Sequence, residues 1–187
     1  REPLLARLSG EYFEQIDVEI RGRHPDQLFA DRTAELVLGE RLQLRDGPRL
    51  VGHDLPGLAR HLERAGRDEE ATRYLVLAGA RAMQRSAFVE ATALLSRGVE
   101  IVLRSPGEAW AVRREIELRA ILGGALVASR GYAVPELEAN GLRALELCRT
   151  LGEPPELFPV IFGLWVLHVV RGESLATTEG FADELCA

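Results

Sequence analysis

The residues that could do chemistry are few and scattered. Of the 4 histidines, His24, His53, His61 and His168, only His53 and His61 are near one another, at i and i+8 beside Asp54. A metal site needs a third ligand close by, and none follows at such spacing, so the pair is expected to be a surface feature. Ser9, Ser86, Ser96, Ser105, Ser129 and Ser174 stand in no GxSxG context and beside no ordered base. Adjacent carboxylates such as Glu69-Glu70 lie on a charged helical face, where they solubilise rather than form an acid/base pair. Cys148 and Cys186 have neither metal nor disulfide-framework spacing. Cys148 falls on an apolar stripe and reads as a small core residue. All 23 basic residues are Arg, which codon bias explains, and the absence of Lys removes Schiff-base and phosphate-loop chemistry. Gly123-Gly124 lies within an apolar helix and reads as close helix packing. No catalytic, cofactor-binding or metal residue is therefore expected.

The elements that would position any binding surface are helices. From about residue 54 onward, breaks fall near 66, 86, 105, 131, 152 and 172, with a spacing of about 20 residues. Gly66, Gly131, Gly152 and Gly172 occupy positions past helix ends, where a left-handed residue is needed. Asp68 is expected to cap one helix. Ser105-Pro106-Gly107-Glu108 reads as a capping box opening another, and Pro154-Pro155 open a third. Leu137, Gly141, Ala144, Leu145, Cys148 and Leu151 form one stripe, and Val112, Ile116, Ala120, Leu122, Ala125 and Leu126 a second. The run Leu157–Val170 is apolar nearly all round. It is shorter than the roughly 20 residues that span a bilayer, so it is expected to be a middle layer buried on both sides. Ala71 and Ala91, each preceded by Glu, mark close helix contacts, with Ala78, Gly79 and Ala82 as a small face and Phe88 as a plug.

The first 53 residues differ. A helix is expected over about 26–39, then a hairpin in which Arg41–Arg45 and Arg49–Val51 flank an Asp46-Gly47 turn. Arg41, Arg45 and Arg49 form the local basic cluster, which fits a solvated strand or docking on an acidic surface better than DNA phosphate. The net charge of −6 points the same way.

Ala78-Gly79, Ala82, Phe88, Ala91, Leu95 and Gly98 carry the small/large rhythm of a tetratricopeptide repeat, with Leu75 where that family often has Trp and no closing Pro. YLVLAGARAMQRSAFVEATALLSRGVEIV (74–102) and ALVASRGYAVPELEANGLRALELCRTLGEPPELFPVIFGLWVLHVVRGE (125–173) resemble the helical-repeat region of bacterial multi-domain signalling ATPases. These include class III adenylate cyclases, transcriptional regulators and kinase-linked ATPases. The resemblance covers roughly 54–187. It implies a repeat region following an ATPase module, with the output activity elsewhere in the parent. It also implies that 1–53 is either the winged-helix-like joining element or further helical repeat.

The expected architecture is thus all-α: an antiparallel helix-pair solenoid, tetratricopeptide-like over 54–187, with 1–53 either a small winged-helix-like part or further helical repeat. There is no initiator Met, and both ends fall in apparent helices, so they are expected to be cuts. Reduced cysteines and the lack of a signal peptide or long apolar span suit the cytoplasm and give no membrane role. The expected function is protein or peptide recognition, including other domains of the same parent, without cofactor. The alternatives are homo-oligomerisation, motivated by Leu157–Val170, and nucleic-acid binding through the N-terminal hairpin, which the charge disfavours. Aromatics in such a chain are mostly core, but a solenoid binds on its inner face and turn ends. That makes Arg130, Tyr132 and Arg171, with Trp165 and His168, the candidate interaction surface.

Overall fold

The computed structural model describes residues 54–152, 154–172, 178–181 and 183. The N-terminal helix, hairpin and arginine cluster, His24, His53, Ser9, Ser174 and Cys186 lie outside the described residues. Among the described residues every regular element is helical, and no helix is long and apolar enough to cross a membrane.

Six helices are bounded among the described residues: α1 (Leu55–Arg64), α2 (Asp68–Gln84), α3 (Phe88–Val102), α4 (Ala109–Arg130), α5 (Pro135–Leu151) and α6 (Leu157–Val170); residues 178–181 and 183 are helical as well. Local chemistry sets most of their ends. The Asp54 carboxylate accepts from the Gly57 N–H at 2.9 Å and caps α1, with Pro56 in the first turn. Gly131 (φ +79°) and Gly152 (φ +75°) stop α4 and α5 in a conformation that a Cβ disfavours. Ser86 makes the same reversal after α2 without being glycine (φ 58°).

Two expected caps are not formed. Asp68 is the first residue of α2, and Arg67 holds the cap position without a side-chain bond. The Asp68 carboxylate instead reaches Arg104, two residues past the end of α3, at 3.3 Å. The Ser105–Glu108 capping box is also absent. Gly107 (φ +86°) turns the chain away, so α4 starts only after an extended Glu108 that makes no cap bond. Pro154 and Pro155 likewise lie in the turn before α6, whose cap position is Glu156.

Each helix packs on the next, and α2 touches α4 as α4 touches α6. The short connections, such as Ala65–Arg67 and Arg85–Ala87, reverse the chain and make these neighbours antiparallel. One hydrophobic cluster runs from α2 to α6, a second joins Ala59, Leu75 and Ile101 across α1, α2 and α3, and a third joins Ile116 to Leu147 and Cys148.

The most enclosed helix is α4, buried continuously at Glu115–Leu118, Ala120–Leu122 and Gly124–Val127. The expectation that α6 is the doubly buried layer is corrected. Its Val160, Ile161, Leu164 and Leu167 are buried, but Phe158, Val169 and Val170 are 47%, 48% and 56% exposed. Among the described residues α6 packs on α5 and α4, and Phe181 stacks on its His168. Leu151 also leaves the stripe assigned to α5. It is 40% exposed because it is the last residue before the Gly152 turn.

Three glycines set how closely successive helices approach. A Cβ on Gly79 of α2 would lie 2.6 Å from the Leu95 side chain of α3. One on Gly98 of α3 would lie 2.5 Å from Leu118 of α4, and one on Gly141 of α5 2.7 Å from Leu164 of α6. The three leucines are buried and cannot swing away. Gly98→Ala is therefore expected to cost about 1–3 kcal/mol in urea denaturation. Gly123→Ala, whose Cβ would meet only the Asn140 amide at an ordinary 3.7 Å, is expected to be neutral or to gain up to about 1 kcal/mol from helix propensity. Equal effects would contradict this reading of the contacts.

Candidate functional site

Two of the sequence-selected residues, Tyr132 and Arg171, meet where α6 ends against the α4–α5 turn. Arg171, just past α6, donates from Nε to the Tyr132 carbonyl (3.1 Å), from Nη2 to the Val134 carbonyl (3.2 Å) and from Nη1 to the Glu138 carboxylate (2.6 Å). One guanidinium thus ties the end of α6 to the turn and to α5. Tyr132 is half-buried against the main core. Arg130 is exposed and approaches only Glu136, at 3.8 Å. His168 is buried and stacks on Phe181 with ring centroids 5.2 Å apart. Trp165 is half-buried beside Phe162 at 5.9 Å, and Phe162 stacks on the exposed Phe158 at 6.2 Å. Arg171 is thus bonded to the Tyr132 backbone and held in structure, Arg130 lies exposed at the end of α4, Trp165 belongs to an aromatic row along α6 and His168 to the interior.

Buried charge lies between α4 and α5. Glu115 accepts from Arg119 Nε (2.8 Å) and Arg143 Nε (3.3 Å). Asn140 on α5 donates to the Arg119 carbonyl at 2.8 Å and accepts from the Arg119 side chain at 3.4 Å. On α3, Thr92 pairs with Ser129 of α4 at 3.2 Å. A buried carboxylate between two guanidinium groups fixes register, because breaking the set would strand a charge. Cys148 lies in the same interface, and burial, with the Glu156 charge, pushes its thiol up to about 11. The thiolate needed for reactivity is therefore scarce near neutral pH.

A second surface was not anticipated from sequence. Between α1 and α3 runs a groove of about 550 Å³. Its floor is apolar, made by Ala59, Leu75, Ala93 and Leu94. Its walls carry Arg60 and Arg64 from α1, Arg97 from α3 and Arg104 just past α3, with Glu63 as the one lining carboxylate among the described residues. Glu63 accepts from Arg97 and, at 3.0 Å, from Arg104. Burial works to raise its pKa, but the two guanidinium groups outweigh burial and hold the carboxyl below its ordinary value. The stability this pairing gives is present above the ordinary glutamate range and is lost as pH falls through the lowered value. Arg60 and Arg64 are exposed and make no ion pair or hydrogen bond among the described residues. Their i, i+4 spacing was legible, as was Arg97 with Arg104 at i, i+7. That α1 and α3 face one another across α2 was not.

No family model matches the chain, and no solved structure matches it. The chain is 28% identical over 115 residues to an uncharacterised protein of Rhizobium meliloti (strain 1021); the match covers 60% of this chain and 11% of that protein. The chain thus spans a small part of the length of that relative.

The corner yields a stability prediction. Arg171→Ala is expected to lower stability by about 1–3 kcal/mol, because two carbonyls and a carboxylate lose a part-buried donor together. Arg171→Lys should recover less than half, since one ammonium cannot span the fork. Arg130→Ala, at an exposed pair, should change stability by less than about 0.5 kcal/mol. Equal losses for Arg171→Ala and Arg130→Ala in urea denaturation would show that the corner is not tied in this way.

Proposed function

We propose that this chain is a non-catalytic interaction and regulatory module. In this reading it is a tetratricopeptide-like helical solenoid working in the cytoplasm as part of a larger bacterial signalling protein of the ATPase-linked kind. The observation that carries it is the packing order. Each helix rests on the next and, along one layer, on the next but one, and on the other layer an open groove runs between α1 and α3. Stacked helical pairs of this sort present extended surfaces for a protein or peptide. The buried charges support the same reading, because Glu115, Arg119, Arg143 and Asn140 are engaged in holding helix to helix. Function then lies in recognition: a bound segment favours one arrangement of the stack, and an attached domain responds to that arrangement. The far greater length of the aligned relative suits a module that is one part of a multi-domain protein.

A second reading is self-association through α6. Phe158, Val169 and Val170 are exposed beside the Phe162–Trp165 pair, and a contiguous apolar patch of this kind favours a partner.

One set of measurements separates the two. The purified chain is screened against an array of unrelated peptides, and its mass is followed by light scattering over a dilution series. The interaction reading predicts saturable, reversible binding to a subset of peptides by a monomer. Self-association predicts a dimer that persists on dilution and is dissolved by Val170→Glu, a change at an exposed site. Binding to no peptide, or substrate turnover retained through purification, would overturn the interaction reading.

A further inference from the structure

The groove between α1 and α3 has a chemistry that its surroundings do not share. The chain carries a net charge of −6, yet the lining of this groove holds four arginines and one glutamate. The guanidinium groups still outnumber the carboxylates when Glu100 and Asp68, which bind Arg97 and Arg104, are included. Arg97 and Arg104 are oriented by Glu63, so one wall is pre-set. Arg60 and Arg64, on the other wall, lack a carboxylate among the described residues.

The floor argues against a simple anion. Leu75, Ala93 and Leu94 offer apolar surface that a phosphate or a dicarboxylate would leave wet. A nucleic acid would meet Glu63, Asp68 and Glu100 along the same track. What satisfies both parts of the groove is a segment with apolar side chains on one face and carboxylates at its margins. Arg60 and Arg64 are one helical turn apart, about 6 Å along the axis. That distance matches two carboxylates one turn apart on a helix laid alongside α1. Each guanidinium presents a planar fork suited to a carboxylate.

From this, and resting on the interaction reading above, we propose that the α1–α3 groove is the docking site for an acidic amphipathic helix of a partner protein. Its apolar face lies on Leu75, Ala93 and Leu94, and its carboxylates bind Arg60 and Arg64. This is the helix-in-groove mode of recognition, with charge at the margins setting orientation and specificity.

The test uses a fluorescein-labelled helical peptide of about 14 residues, roughly 21 Å long, with Glu pairs at i, i+4 beside a stripe of Leu. Fluorescence anisotropy is expected to show saturable binding that weakens as salt rises. The double variant Arg60→Ala/Arg64→Ala should bind about tenfold more weakly, with unchanged thermal unfolding because both sites are exposed. Ala93→Glu, an exposed floor position, should also weaken binding, and a peptide with each Glu replaced by Gln should fail to bind. The proposal is overturned if the double variant or the Gln peptide binds as well as its parent. It is also overturned if inorganic pyrophosphate competes as strongly as unlabelled peptide, which would make the groove a small-anion site. If the acidic peptide does not bind but peptides of the unbiased array do, this inference falls and the interaction reading stands. If nothing in either set binds, both fall.

Discussion

The fold depends on how near one helix can come to the next. At three interfaces, α2–α3, α3–α4 and α5–α6, a glycine on the earlier helix receives a leucine from the later one: Gly79 with Leu95, Gly98 with Leu118, Gly141 with Leu164. A hydrogen in place of a methyl lets each leucine fill the groove of its neighbour, and close packing of buried side chains then leaves no slack. Because α3 both supplies a leucine to α2 and receives one from α4, the spacing set at one interface passes to the next. The small faces of Ala71, Ala78, Ala82 and Ala91, all buried, extend the same principle.

Charge acts on top of this packing. Between α4 and α5, Glu115, Arg119, Asn140 and Arg143 form a mostly buried set that selects register. At the end of α6, Arg171 closes a corner by binding two carbonyls and a carboxylate. Between α1 and α3 the arginines are only partly neutralised, and there the surface remains open. The same residue type thus serves as internal fastening in two places and lines an open groove in a third. What differs is that Arg60 and Arg64 have no carboxylate opposite them among the described residues.

The helices and most of their ends were legible in the residues, because Gly131, Gly152 and Gly172 each carry a positive φ that other residues resist. The close-contact positions Ala71, Ala91 and Gly79 were legible as well, since small residues at helical spacing have few other uses. The capping box at Ser105 was misread because Gly107, inside it, takes a left-handed turn that no side chain in the motif announces. The enclosure of α6 was overread for a related reason. Apolar count marked α6 as the central layer, yet α4 is more enclosed even with Glu115 and Glu117 buried. Those carboxylates can be buried only because Arg119, Arg143 and Arg114 meet them, which hydropathy does not register. The α1–α3 groove was invisible for want of tertiary information. Arg60 and Arg64 on one helix look like an ordinary solvated face until Arg97 and Arg104 are set opposite.

The central claim is that glycine–leucine contacts set the spacing of the stack, and a double-mutant cycle at Gly98 and Leu118 tests it most directly. Stability is measured in urea for Gly98→Ala, Leu118→Ala and the double variant. The account predicts strong coupling, about 1 kcal/mol or more, because shortening Leu118 removes the atoms that the added methyl would strike. Costs that add to within about 0.5 kcal/mol would mean the two positions do not sense each other, and the account would be wrong.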